Sequence, residues 1–268
     1  MIDIYLQLTP QPSQEIFAID LAGVFLTVAQ KRITAEEMNP LVRMAKLFVK
    51  PFGYDIVKAK TLVDFYLHEY DSYEQYRDVQ IFHNKRKVNC VWADEQTLDR
   101  VINLVVSKNP NKEIRGICHG TRNGFEQNYL NSKNPMIKAI GTDISDTAKD
   151  YDNSVQWDFH KEKEDWIGVF DFVYSNSLDQ SWKPRLALKT WLNQVKRYGI
   201  VIIEHTESHG PLRASEMDPF GVRPIAMPYV LTEWFGDQIS VSHSKAKKKN
   251  MDRDAWLFVC KKLVDNVD

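Results

Sequence analysis

Residues 114–160 constrain this chain more than any other stretch. They contain Ile114-Arg115-Gly116-Ile117-Cys118-His119-Gly120-Thr121-Arg122-Asn123-Gly124-Phe125-Glu126, then Ile140-Gly141-Thr142-Asp143-Ile144, then Val155-Gln156-Trp157-Asp158-Phe159-His160. An apolar run ends in a glycine-bearing turn that opens a helix. A second apolar run ends in an acid, and a third does the same. This pattern suits a nucleoside held along the carboxyl edge of a parallel sheet. Glycines let backbone approach the ligand, and the acid after the second strand accepts both ribose hydroxyls.

Length and charge narrow the class. A chain of 268 residues suits one medium domain plus an extension, with room for a substantial core. A formal net charge of −1 provides no global attraction to nucleic acid or to an anionic membrane. No apolar run approaches the ~20 residues of a membrane span, and the N-terminus lacks the basic start and apolar core of a signal peptide. Cys90, Cys118 and Cys260 form no CxxC pair, which argues against a structural zinc and a disulfide framework. The expectation is a cytoplasmic protein.

The organisation changes near residue 110. Residues 1–110 read as a mainly helical N-terminal extension acting as a lid, and residues 111–268 as the ligand-binding domain. In the extension, Glu15–Gln30 reads as an amphipathic helix. Thr34-Ala35-Glu36-Glu37 reads as an N-cap leading into Met38–Lys50, with Pro40 in the first turn and Pro51-Phe52-Gly53 ending the unit. Thr61–Tyr76 reads as a helix. Val79–His83 and Val88–Trp92 read as short strands around a polar turn, and Asp94 caps a helix from Glu95 to Ser107.

From Lys112 onward the signals alternate. Strands are expected at 114–119, 137–144, 154–159, 169–175 and 199–205, with helices at 124–131, 145–150, 161–167 and 184–197. That alternation predicts a parallel sheet with crossover helices. A helix near 228–236 and two further strand-like runs, Gln238–Ser244 and Ala255–Lys262, close the chain. The expected fold is α/β: a Rossmann-like, seven-stranded, mostly parallel sheet with a C-terminal antiparallel hairpin.

With these motifs in this order, residues 112–262 resemble the class I S-adenosylmethionine-dependent methyltransferases. The run Cys118-His119-Gly120-Thr121-Arg122-Asn123-Gly124 looks like a distinct subgroup of such enzymes found in bacteria and their viruses. The family's first motif has an acid followed by three alternating glycines. Gly120 and Gly124 stand where two of the glycines belong, Cys118 replaces the acid and Arg122 replaces the middle glycine. The resemblance makes S-adenosylmethionine the expected cofactor. It places Asp143 on the ribose and Asp158 near the adenine amino group. It sets Phe170-Asp171-Phe172-Val173-Tyr174-Ser175-Asn176-Ser177 beneath the transferring methyl, and Tyr198–Ile203 on the turn and strand that follow. Cys118, His119, Gly120, Arg122, Gly124, Asp143, Ile144, Asp158, Phe159, Ser175 and Asn176 are the cofactor-site candidates. Arg122 is suited to pair with the methionine carboxylate, because a guanidinium is a planar bidentate donor.

Plain structural readings stand beside these. A glycine-bearing strand-to-helix turn occurs in any α/β protein, and Asp143, Ser145 and Asp158 can each simply cap the segment that follows. A dinucleotide-dependent oxidoreductase is the weaker alternative, because the Gly-x-Gly-x-x-Gly order and a second nucleotide-binding half are missing.

Methyl transfer asks mainly for alignment of a nucleophile with the donor and for exclusion of water, with a base where the nucleophile is a hydroxyl. Base candidates are His119, His160, His205, His209 and Asp179. His205 and His119 are favoured, the first because it follows the fifth strand at the ligand-binding edge. Asp179, Glu204, His205 and His209 are able to gather, but no spacing demands a metal, and none is expected.

The segment Glu207–Pro228 is too long for a simple connection and reads, with the N-terminal helices, as a lid over the acceptor. Tyr174, Trp182, Arg185, His209 and Arg223 are the acceptor-site candidates, and Asn176 adds a polar group. The mix suits a polar small molecule or a saccharide methylated at oxygen or nitrogen. Lys245-Ala246-Lys247-Lys248-Lys249 beside Trp256 leaves RNA as an alternative acceptor, disfavoured on a near-neutral chain. A non-catalytic cofactor-binding or interaction module is the other alternative, and oligomeric state stays open.

Overall fold

The structure is a computed structural model that describes residues 4–8, 17–19, 40–58, 63–109, 111–247 and 254–268. The chain divides into two compact units, Met1–Val63 and Asp64–Asp268. In the first, β1 (Ile4–Leu8) pairs antiparallel with both β2 (Phe17–Ile19) and β3 (Tyr54–Lys58), and α1 (Pro40–Val49) precedes β3. Pro40 is the first helical residue, where its missing N–H costs no bond. The helix expected over Glu15–Gln30 is therefore a strand at Phe17–Ile19, and its remaining residues lie outside those described, as does the Thr34 cap.

The second unit begins with β4 (Phe65–Leu67), α2 (Tyr73–Arg86) and α3 (Glu95–Lys108). Then β5 (Ile114–His119), α4 (Phe125–Lys133), β6 (Ile137–Asp143), β7 (Ser154–Gln156), β8 (Phe170–Ser175), α5 (Pro184–Gln194) and β9 (Val195–Thr206) follow. The chain ends through β10 (Phe220–Val222), α6 (Met227–Phe235), β11 (Ile239–Lys247) and β12 (Asp254–Lys262). The main sheet has the order β11-β12-β9-β8-β5-β6-β7. Strands β5 to β9 are mutually parallel, while β12 runs antiparallel to both β9 and β11. This is the expected seven-stranded Rossmann-like sheet with its closing hairpin.

Alternation along the strands builds two cores, one on each face. Ile117, Val173, Val201 and Ile203 point to one face, packed with Leu188, Trp191 and Phe235 from α5 and α6. Cys118, Phe172, Tyr174, Ile200 and Ile202 point to the other, with Leu98, Val101 and Val105 of α3 and Leu130 of α4. Gly116 and Gly141 serve packing here, since an added Cβ would lie 2.1 Å from the Phe172 ring and 2.3 Å from the Gln127 side chain. Among the described residues no helix is long and apolar enough to cross a membrane.

Residues 73–92 depart from the sequence expectation. The helix expected over Thr61–Tyr76 gives way to β4, and the strand expected at Val79–His83 lies inside α2. Ser72 caps α2, its Oγ accepting the Gln75 N–H at 3.2 Å. The buried positions of α2 are Tyr76, Gln80 and Asn84, one every fourth residue, whereas Phe82 is exposed. The helix therefore buries a mostly polar stripe, and apolar periodicity, the usual helix signal, misreads it. Residues 88–92 form no strand; the Val88 and Cys90 carbonyls instead accept from Asn123 and Arg122. The Asp94 cap is as expected, with Oδ1 accepting the Gln96 and Thr97 N–H groups. Helix α5 stops at Gln194 rather than 197, because Val195 already pairs with Phe170 of β8.

Candidate functional site

Strand order reverses at β5: the chain runs outward through β6 and β7, then returns to place β8 on the other side of β5. In an open parallel sheet, the crevice beyond the carboxyl ends at such a switch point is where ligands bind. A cleft lies there, with about 520 Å³ of atom-free space including its open mouth. Gly120, Arg122, Asp143, Ile144, Asp158 and Phe159 line its sheet side, and α2 residues from Tyr76 to Lys87 line the opposite side.

The turn after β5 is shaped by left-handed backbone. Gly120 and Gly124 have φ of +73° and +75°, which glycine adopts at no steric cost. Gly124 is the N-cap of α4. An added Cβ at Gly120 would lie 2.6 Å from Ser177. Arg122, where the methyltransferase resemblance expects the middle glycine, also has a positive φ, +49°. It adopts the glycine-type conformation with a side chain attached, at a cost of about 1 kcal/mol or more. Its backbone N–H donates to Asp143 Oδ2 at 3.0 Å, and Nη1 donates to the Cys90 carbonyl at 3.2 Å. Its Nε is buried without a hydrogen-bond partner.

Two acids face the cleft in different states. Asp143 ends β6, with Oδ1 accepting the Ser145 N–H at 2.9 Å. Burial raises its pKa, partly offset by the Ser145 and Arg122 N–H groups. A carboxylate offers about four acceptor sites. The two backbone donors leave two, one of which the Asn84 amide of α2 approaches. A ribose diol exchanging with Asn84 would take both. Asp158 accepts the His160 N–H at 3.0 Å, His160 Nδ1–H at 2.8 Å and the Tyr73 hydroxyl at 2.7 Å. Burial pushes its pKa up, but the bonds and charge of His160 together with Tyr73 outweigh this and hold it at about 2. It stays ionised with one acceptor site left on Oδ2.

Helix α2 closes the cleft through polar contacts. Tyr73 bonds Asp158, Asn84 accepts from Thr147 Oγ1 at 3.0 Å, and Gln80 donates to the Glu216 and Met217 carbonyls. Tyr76 stacks on Trp182 at 5.5 Å and donates to the Gln180 carbonyl.

A second cluster lies outside the cleft lining but adjoins it along the chain. Asp179 sits in the turn after β8, next to cleft-lining Gln180, and Asp218 is next to cleft-lining Met217. His209 Nδ1 lies 2.9 Å from Asp179 Oδ2. Burial raises the Asp179 pKa, but His209 first, then His205, bring it below its ordinary value. Burial and the Asp179 charge push Asp218 up to about 6, against His209, Lys87 and Arg122.

The other expected site residues fall in varied places. His119 is 1% exposed and stacks on Trp191; Nδ1 accepts from Thr142 Oγ1 and Nε2–H donates to Gln194 Oε1. Burial lowers its pKa to about 4. With both nitrogens engaged inside the core, His119 has no free nitrogen to serve as the expected base. His205 is buried too, Nε2–H donating to the Val222 carbonyl at 2.8 Å. Burial and then neighbouring His209 lower its pKa to about 4, so it is a neutral acceptor beside the second cluster rather than a strong base. His160 is held between Asp158 and Ser181.

Tyr174 does not face an acceptor. It is fully buried, and its hydroxyl donates to Glu204 Oε2 at 2.6 Å on the α3–α4 face, because strand alternation points it away from Val173. Glu204 accordingly lies apart from Asp179 and His209. Cys118 is buried on that face with its thiol pushed far up, so it supplies no charge in place of the family's acid. Ser175 ties β8 to β5 by donating to the His119 carbonyl, and Asn176 donates to Glu126 Oε1. Trp182 is at the cleft rim against α2. Arg185 is exposed on the first turn of α5, and Arg223 is exposed 3.9 Å from Glu207.

Sequence reasoning missed Tyr73, Asn84 and Glu126 as site residues, and saw Asp218 only as part of a loop. Glu126 is buried in the first turn of α4; burial lifts its pKa to about 7, and Oε2 has no hydrogen-bond partner. An acid one turn after a glycine-bearing loop reads as ordinary helix capping. The loop 207–228 is anchored: β10 within it pairs with β4, and Phe220 packs against Phe65 and Trp234. Of the basic run, Lys245 lies in β11, pairs with Asp254 and sits over Trp256.

This sheet order, mostly parallel with a closing antiparallel hairpin, is a Rossmann-like fold of the kind seen in class I methyltransferases. No family model matches the chain, and no curated protein matches it in sequence. Among solved structures, it is similar to a Burkholderia thailandensis 1,6-didemethyltoxoflavin-N1-methyltransferase bound to 1,6-didemethyltoxoflavin and S-adenosylhomocysteine. That match has a TM-score of 0.57 and 11% identity, and covers 74% of this chain and 93% of the other. The plantazolicin methyltransferase BpumL, solved with S-adenosylhomocysteine, has a TM-score of 0.52 at 11% identity over 70% and 95% of the two chains. The cyclase SpnF matches with a TM-score of 0.50 at 12% identity over 69% and 93%. At such identities the likeness establishes the fold.

Proposed function

We propose that the chain is an S-adenosylmethionine-dependent methyltransferase that modifies a polar small molecule or saccharide at oxygen or nitrogen. The observation that carries this reading is the pair of ionisable acids at matched strand ends. Asp143 keeps two acceptor sites for a diol, and Asp158 stays ionised with one site for an amino group. Arg122, with a buried unpartnered Nε in the cleft wall, is assigned to the cofactor's carboxylate. When bound, the cofactor supplies an activated methyl group. The chain's own part is to hold it, exclude water with α2, and present the acceptor from the side of Asp179, His209 and Asp218. Two neighbours of this fold carry methyltransferase names and S-adenosylhomocysteine, which supports the same reading.

The test is incubation of purified protein with methyl-labelled cofactor and separate metabolite, polysaccharide and RNA fractions. Label in the metabolite or polysaccharide fraction supports the proposal. Label confined to RNA replaces the acceptor class. Cofactor binding without transfer to any fraction favours a non-catalytic module, consistent with a fold that also serves a cyclase.

A further inference from the structure

Asp179, His209 and Asp218 come from three separate segments: the turn after β8, the turn after β9, and the residue pair before β10. One donor atom from each lies within 4.8 Å of the other two. Around a divalent cation with metal–ligand distances of about 2.0–2.6 Å, neighbouring donors are about 3–3.7 Å apart and opposite donors about 4–5 Å. The three atoms already satisfy that envelope.

The cluster concentrates acidic groups in a small volume. Two carboxylates share the corner with one imidazole, and Asp179 is 4% exposed. Among the described residues no lysine or arginine is ion-paired to either acid; Lys87 and Arg122 act on Asp218 only at longer range. Like-charged carboxylates held together in a buried site do not both remain ionised unless a positive charge is present.

We propose that Asp179, His209 and Asp218 form a binding site for a divalent first-row cation at the acceptor side of the cleft. The donor set of one imidazole and two carboxylates suits Mn²⁺, Fe²⁺ or Zn²⁺ better than Mg²⁺ or Ca²⁺, which favour all-oxygen shells. Three protein ligands leave open positions for water or an acceptor oxygen, as catalytic metal sites do. His205, whose ring centroid is 5.8 Å from that of His209, backs the cluster as a neutral neighbour. The site itself stands independently of the methyltransferase reading; only its placing of an acceptor oxygen rests on that reading.

The test is titration of the full chain, purified with chelator and then desalted, with Mn²⁺. Bound ion is followed by loss of the free-ion paramagnetic resonance signal, and fold by circular dichroism. Wild type is expected to take up a single Mn²⁺ and to melt at a higher temperature with it. Asp218→Asn and His209→Gln, the less buried ligands, are expected to weaken binding by about tenfold or more while leaving the spectrum unchanged. Asp165→Asn, a distant exposed acid, is expected to bind as wild type does. Absence of stoichiometric binding in wild type would overturn the proposal and leave a proton-sharing acid pair with His209. Binding equal in wild type, Asp218→Asn and His209→Gln would overturn it as well.

Discussion

The two ends of this cleft handle negative charge in opposite ways. At the cofactor end, Asp143 and Asp158 are surrounded by donors: backbone N–H groups, His160 and the Tyr73 hydroxyl. At the other end, Asp179 and Asp218 gather with His209, and burial and the Asp179 charge push Asp218 up. At the first end each acid is held by several hydrogen bonds and keeps acceptor capacity toward the cleft. The second gathers two carboxylates from separate segments beside His209. Buried charge is tolerated when hydrogen-bonded and paired, and otherwise shifts its protonation.

The largest effect expected from breaking this pattern is at His119, which supports the edge from below. His119→Ala leaves Thr142 and Gln194 without their partner and opens a cavity beside Trp191. A loss of about 3–5 kcal/mol in urea unfolding is expected. A variant as stable as wild type would remove His119 from the core and reopen its assignment as a base.

Arg122 comes next. Arg122→Ala is expected to weaken cofactor binding by about 1–3 kcal/mol, and Arg122→Lys to recover only part, since an ammonium lacks the fork. Unchanged cofactor affinity with a raised acceptor KM would move Arg122 to the acceptor end.

The pH dependence of stability distinguishes the two ends. Asp218 has a folded pKa of about 6, above the unfolded carboxylate value. Its favourable contribution is complete below about pH 4 and is lost as pH rises through about 6. In chelator, Asp218→Asn is therefore expected to be more stable than wild type at pH 8, by roughly 1–2 kcal/mol, and to show no gain at pH 4. A variant less stable than wild type at pH 8 would show that the corner is already neutralised. Asp158 has the opposite sign, its contribution present above about pH 4 and lost as pH falls through about 2.

The smallest expected effect is that of Tyr73→Phe, which removes one of the donors to Asp158 and loosens α2. A loss of about 1 kcal/mol in stability and faster exchange of bound cofactor are expected. Equal exchange rates would mean that α2 does not gate the cleft.

The sheet was legible because its strands are apolar runs punctuated by glycine and acid, and β5 and β12 fall within one residue of expectation. Asp143 and Asp158 were legible for the same reason, each being the first acid after such a run. The closing helix was not. Its buried face is Tyr76, Gln80 and Asn84, chosen for a polar cleft, while Val79, Ile81 and Phe82 imitate a strand. Tyr174 was misplaced because a motif fixes a residue along a strand and not on which face its side chain falls. Asp218 lay in a loop with no period, so only the fold brings it to Asp179 and His209.

Calorimetric titration of S-adenosylhomocysteine into wild type and Asp143→Ala tests the central claim most directly. The claim is that this switch-point cleft is a nucleoside-cofactor site. Wild type is expected to bind the ligand in a one-to-one complex. Asp143→Ala, which removes the carboxylate at the end of β6, is expected to bind about 100-fold more weakly or not at all. NAD is expected to produce no heat of binding with either protein. Tight binding of NAD in place of S-adenosylhomocysteine, or equal affinity of wild type and Asp143→Ala for S-adenosylhomocysteine, would contradict the account.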